Sequence, residues 1–130
     1  MRRDEKAMKK RILVVDDSEF VRNYHSHILA QADFEVLTAV DGADGLEKLY
    51  THSCDLILTD INMGHMDGYE FIRRIRAEQQ YEELPIIIIS TESDRTDKMK
   101  GFEAGANLYL VKPSEPEMMI ENIRLVLSNG

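Results

Sequence analysis

Ile12-Leu13-Val14-Val15-Asp16-Asp17 is an apolar run without polar alternation that closes on two acids. A strand of that kind is buried on both faces, as in a parallel sheet covered by helices on each side. The same kind of ending recurs along the chain. Leu56 to Thr59 runs into Asp60, Ile86 to Ile89 into Ser90, and Leu108 to Val111 into Lys112. In an open parallel sheet, ligands sit in the crevice outside the carboxyl ends of the strands. Residues far apart in sequence therefore meet at one rim, and three carboxylates, a hydroxyl and an ammonium there describe a site for a divalent cation and a phosphoryl group.

Strand and helix signals alternate five times with no repeat or low-complexity block between them, which reads as a parallel α/β sheet. The expected strands are Arg11 to Val15, Phe34 to Ala39, Asp55 to Thr59, Pro85 to Ile89 and Asn107 to Val111. Helix starts are marked by capping-box spacing at Asp67 with Glu70 and at Ser114 with Glu117, and by Asp41 and Ser93 as further N-caps. Apolar stripes follow: Val21, Tyr24 and Ile28; Leu46 and Leu49; Phe71, Ile72 and Ile75; Met119, Ile120 and Ile123. The segment from Asp94 to Ala104 has only Met99 and Phe102 as a sizeable apolar face, so low local stability is expected, and it reads either as the element that moves or as a well-solvated surface helix.

The 130 residues suit one domain, divided here into a basic leader, 1–10, and a folded unit, 11–130. A formal net charge of -8 argues against nucleic acid, whose phosphates need a basic face, and favours protein partners and metal ions. One cysteine, Cys54, forms no intrachain disulfide, and a reducing, cytoplasmic setting is expected. Arg2, Arg3, Lys6, Lys9, Lys10 and Arg11 precede no apolar stretch of secretory or membrane-spanning length, so the leader reads as a solvated arm and no membrane association is expected.

Carboxylates crowded at a rim repel one another, by about 4 kcal/mol per close pair at an effective dielectric near 20. A bound Mg²⁺ reverses that sign, taking one or two protein carboxylates, several waters and phosphate oxygens. Asp60 stands alone after a central-looking strand and is the candidate nucleophile, whereas the adjacent Asp16 and Asp17 are better placed to hold metal. Lys112 supplies an ammonium and Ser90 a hydroxyl to neutralise charge on the transferring group. Each residue alone has an ordinary structural reading as a cap, a turn residue or a snorkelling lysine. Their order at successive strand ends is what points to function.

Ile12-Leu-Val-Val-Asp16-Asp17-Ser18, Asp60-Ile-Asn-Met-Gly-His-Met-Asp67-Gly68, Ser90, and Gly105-Ala106-Asn107-Leu108-Tyr109-Leu110-Val111-Lys112-Pro113 resemble a response regulator receiver domain of the CheY-like kind, from Ile12 to Leu127. The resemblance implies a doubly wound, flavodoxin-like sheet of five strands in the order 2-1-3-4-5 with five helices. It implies that Asp60 accepts a phosphoryl group from a histidine kinase, with Mg²⁺ (or Mn²⁺) ligated by Asp17, Asp60 and the backbone carbonyl of Asn62 and reached by Asp16 through water. Ser90 and Tyr109 would be the switch pair and Lys112 the phosphate-contacting lysine, with the Lys112-Pro113 bond cis.

A stand-alone switch is therefore expected in two-component signalling, chemotactic or as a phosphorelay intermediate. It is expected to be a monomer and a self-catalysed acceptor with slow autodephosphorylation rather than an enzyme. The chain ends soon after its last helix, so output is expected through a downstream protein target or a phosphotransfer protein. A haloacid-dehalogenase-type phosphohydrolase fits less well, because that class spaces its two acids differently after the first strand. A scaffold that works without phosphorylation is the remaining alternative. Two departures from the family pattern stand out: Met63-Gly64 where Met-Pro is common, which loosens the loop, and Thr91 where a small residue is usual, which narrows access to the phosphoryl group. His25, His27, His52 and His65 form no metal or catalytic set and read as structural, and Met63, Met66, Met99, Met118 and Met119 as loop and core fillers.

Overall fold

The computed structural model describes residues 9–128. Five strands, β1 (Arg11–Val15), β2 (Glu35–Ala39), β3 (Leu56–Thr59), β4 (Ile86–Ser90) and β5 (Leu108–Val111), alternate with α1 (Glu19–Gln31), α2 (Gly42–Thr51), α3 (Gly68–Arg76), α4 (Arg95–Ala104) and α5 (Pro116–Ser128). A short 3-10 turn, Gln79–Tyr81, follows α3. The strands form one parallel sheet in the order β2-β1-β3-β4-β5. The order reverses beside β1, and that reversal opens the crevice. Most of the basic leader lies outside the described residues, although Lys9 pairs with Asp33 at 3.2 Å.

Alternation along each strand divides the core into two layers. Leu13, Val15, Ile57, Ile86 and Ile88 face Leu46, Leu49, Phe71, Ile72, Ile75 and Ala104 on α2, α3 and α4. Ile12, Val14, Leu56, Leu58, Ile87 and Ile89 face Leu29, Met119, Ile120 and Ile123 on α1 and α5. Burying a large aliphatic side chain contributes about 1.5 to 3 kcal/mol, so the two layers fix the strand order and with it the rim.

Helix phases and caps depart from expectation in five places. On α1 the buried residues are His25 and Leu29, while Tyr24 is 47% exposed; the stripe is rotated so that Val21 and Ile28 lie at its flanks. On α4 the residues against the sheet are Gly101 and Ala104, and Met99 and Phe102 are 52% and 49% exposed, because the helix approaches too closely for large side chains. A β-carbon at Gly101 would meet Ile88 Cδ1 at 2.7 Å and Tyr109 Cδ2 at 3.1 Å. Asp94, not Ser93, is the cap residue of α4, and its side chain makes no capping bond. Helix α5 begins at Pro116, with Met119 N–H donating to Glu115 O, so Ser114 falls outside it; the fixed φ of proline suits the first helical position.

Asp41 and Asp67 do cap α2 and α3, accepting from the Asp44 and Glu70 amides. Glu70 does not complete the reciprocal box: its carboxylate pairs with Arg73 and Arg74 one turn on. The Lys112-Pro113 bond is cis.

Candidate functional site

Register brings the rim together. Val15 is aligned with Thr59, so Asp16 and Asp60 leave their strands side by side, and the Asp60 amide donates to Val15 O at 2.9 Å. Ser90 is aligned with Val111, and the Lys112 amide donates to Ser90 O at 2.8 Å. Carboxylate oxygens of Asp16, Asp17 and Asp60 all lie within 4.8 Å of one another.

Lys112 Nζ donates to Asp16 Oδ2 at 2.8 Å and to Asp60 Oδ2 at 3.0 Å. The other oxygens are also engaged: Asp16 Oδ1 by the Ser18 amide at 2.9 Å and Asp60 Oδ1 by the Ile61 amide at 2.7 Å. Ser18 meanwhile caps α1, its hydroxyl accepting from the Val21 amide, so one tripeptide both opens the helix and aims Asp16. Arg22 reinforces the corner by donating to Asp16 O at 2.8 Å. Asp16 is 1% exposed and Asp60 9%, whereas Asp17 is open to solvent.

Burial pushes the Asp60 carboxyl above its ordinary pKa, outweighing the opposing hydrogen bonds from Lys112 and the Ile61 amide. Burial works to lower the Lys112 ammonium, but its hydrogen bonds to Asp16 and Asp60 prevail and raise it. Lys112 is thus firmly a cation. Three carboxylates against one ammonium leave two negative charges, which with hard oxygen donors matches a divalent cation such as Mg²⁺ or Mn²⁺.

Ser90 is fully buried at the end of β4 on the adjacent register, and its hydroxyl accepts from the Glu92 amide at 3.1 Å. The Tyr109 hydroxyl donates to Glu92 O at 2.7 Å, and its ring packs against Gly101. Asn62 is exposed on the loop after β3, its side-chain amide donating to Glu92 Oε1 at 3.0 Å. Glu92 therefore ties together all three of Asn62, Ser90 and Tyr109. Sequence reasoning missed it, because an exposed glutamate two residues past a strand carries no local signal.

Gly68 in the Asp60 loop motif is glycine for a steric reason. Its amide donates to Ile61 O at 2.8 Å, and a β-carbon there would lie 2.8 Å from Ile61 Cα. The start of α3 is thus packed directly on the backbone that carries Asp60. Gly64, by contrast, has nothing within 4 Å of a β-carbon and no positive φ, so neither a close approach nor a left-handed backbone requires glycine there.

A family model for the response regulator receiver domain matches residues 12–124. The chain belongs to that family. The receiver is 35% identical over 122 residues to the chemotaxis protein CheY1 of Helicobacter pylori, covering 92% of this chain and 98% of that protein. Against the response regulator ArlR of Staphylococcus aureus it is 38% identical over 116 residues, which is 89% of this chain and 52% of ArlR, so it spans about half of that relative's length. Among solved structures, chemotaxis protein CheY4 of Vibrio cholerae superposes with a TM-score of 0.87 at 38% identity, covering 92% of this chain and 99% of the other. A putative response regulator from Chloroflexus aurantiacus superposes with a TM-score of 0.90 at 32% identity, covering 93% and 99%. The receiver's five-stranded order is the one the resemblance implied. Among the described residues no helix is long and apolar enough to cross a membrane.

Proposed function

We propose that this receiver is a phosphorylation switch in which Asp60 accepts a phosphoryl group from the phosphohistidine of a histidine kinase. The observation that carries the reading is the Lys112 ammonium held between the Asp16 and Asp60 carboxylates, with Asp17 alongside. An Asp60 carboxylate oxygen attacks phosphorus, the phosphorus–nitrogen bond of the donor breaks, and the imidazole leaves with the electron pair and takes a proton. Catalysis of such a transfer is alignment plus neutralisation of charge on the equatorial oxygens. Asp17, Asp60 and the Asn62 carbonyl would hold Mg²⁺, with Asp16 contributing through water, and the ion would supply that neutralisation. Lys112 turns from Asp60 to a phosphoryl oxygen while keeping Asp16, and Ser90 donates its hydroxyl to another.

Asp60 is a better acceptor than Asp16 because its side chain keeps 12% of its surface exposed against 2% for Asp16. The same difference disfavours a phosphohydrolase that uses Asp16. The protein is its own catalyst and its own substrate, so turnover of a separate small phosphoester is not expected. Phosphorylation withdraws Ser90 from the Glu92 amide, and the Glu92 bonds to Tyr109 and Asn62 pass the change to α4 and β5. A ligand shifts such an equilibrium only through contacts that differ between the two states.

The relatives named as chemotaxis proteins support a CheY-like role in chemotaxis, in preference to a phosphorelay intermediate. The test is beryllofluoride or acetyl phosphate with Mg²⁺, followed by amide NMR shifts at Ser90, Tyr109 and α4. Wild type should respond and Asp60→Asn should not. A silent wild type would leave the phosphorylation-independent scaffold as the better reading.

A further inference from the structure

The loop between β3 and α3 carries Asn62, and little in its own sequence holds it. Gly64 adds backbone freedom without a steric need for it. His65 adopts a positive φ of 55°, which histidine tolerates better than most residues but which still requires support from its surroundings. That support comes from α2. The His65 Nδ1–H donates to Asp41 Oδ2 at 2.9 Å, while Asp41 Oδ1 accepts from the Asp44 amide at 2.9 Å. One carboxylate thereby joins the loop to the first turn of α2. The Gly42 amide donates to Met66 O at 3.2 Å, and a β-carbon on Gly42 would meet Met66 Cγ at 2.8 Å. A third bond, Met66 N–H to Gly64 O at 2.5 Å, closes the turn.

We infer that His65 and Asp41 form a latch that positions the Asn62 loop for cation and phosphoryl binding. Both are positioning residues and neither touches the reacting atoms. The inference deepens the function proposed above and rests on it for its second readout. Asp41 is nine-tenths buried at its side chain and already committed to the α2 amide, so it is a fixed post. His65 is 85% exposed at its side chain, so its bond serves the loop and not the core. With the latch open, the loop has to be ordered each time a cation binds, and apparent affinity falls.

Two measurements test this on the full chain. Amide hydrogen exchange over residues 62–66 in the metal-free protein should quicken by roughly three- to fivefold in His65→Ala, the scale of one hydrogen bond. The Mg²⁺ concentration needed for half-maximal response to beryllofluoride should rise by a similar factor, roughly three- to fivefold. His65→Asn should recover most of both, since asparagine accepts positive φ and its side-chain amide can donate to Asp41. Asp41→Asn should add little in the His65→Ala background, as expected of two residues acting through one bond. Exchange in His65→Ala equal to wild type, or fully additive effects of the two substitutions, overturns the latch. If wild type itself ignores beryllofluoride, the phosphorylation reading fails, and the exchange measurement still decides the latch by itself.

Discussion

Gly68 sits so tightly on Asp60 that a β-carbon added to it would stand 2.2 Å from the Asp60 carbonyl oxygen. The neighbour is backbone and has no rotamer to yield with. Gly68→Ala therefore has to displace either α3 or the strand end that aims Asp60, at about 1 to 3 kcal/mol, the usual scale of overpacking. Urea unfolding should show that loss, and the Mg²⁺ and beryllofluoride response should weaken with it. Unchanged stability would mean that α3 can slide without consequence.

Asp60→Asn should melt higher than wild type when divalent cations are chelated at neutral pH. The folded-state pKa of Asp60 is raised by burial, so its favourable contribution is complete below the ordinary carboxylate range and is lost as pH rises through the raised value. At neutral pH the ionised Asp60 is a liability, and asparagine still offers Lys112 an acceptor. An increase of about 3 to 5 °C corresponds to a gain near 1 kcal/mol in a domain of this size. The gap should close on acidification, and a lower melting point at neutral pH would contradict the direction of the shift.

Arg76 organises the opposite end of the sheet. Its guanidinium donates to Gly105 O at 3.0 Å, Tyr81 O at 2.8 Å, Leu84 O at 2.7 Å and Asn107 Oδ1 at 3.0 Å. Asn107 Oδ1 also takes the Ile86 amide at 2.8 Å, which starts β4. Arg76→Ala leaves several carbonyls short of partners and should cost about 2 to 4 kcal/mol by denaturant unfolding. Arg76→Lys should recover less than half, since one ammonium lacks the planar fork. The phosphoryl site is remote, so the beryllofluoride response of the folded fraction should be retained.

Thr91 follows Ser90 and is exposed at the mouth of the site. Its side chain is expected to hinder water approaching a phosphoryl group on Asp60. Thr91→Ala should speed loss of the phosphoryl group by roughly two- to fivefold, which is about 1 kcal/mol of barrier or less. Stability should stay within about 0.5 kcal/mol, as for most surface changes. Equal decay rates in wild type and variant would remove the idea.

What was legible in the sequence was what repeats along a buried strand. Runs such as Ile86 to Ile89 specify strands covered on both faces, and the residue after each run is thereby placed at the rim. Helix faces were less legible, because apolar spacing fixes a stripe only to within one residue of rotation. Tyr24, Met99 and Phe102 fit a helical period yet face outward, where His25, Gly101 and Ala104 make the contact. Caps failed at Ser114, where Pro116 takes the first helical position, and at Ser93, where the helix starts one residue later behind Asp94. The ties between Glu92 and Asn62, and between His65 and Asp41, were not legible because polar partners 30 and 24 residues apart leave no periodic trace.

Lys112 between Asp16 and Asp60 gives the fold an internal counter-ion. Newly made chains can complete their sheet in ion-poor surroundings, without waiting for a cation to quiet the acids. Under the function proposed above, loading would become an exchange of tenants, in which the amine would yield ground to the arriving ion and be freed for the incoming anion.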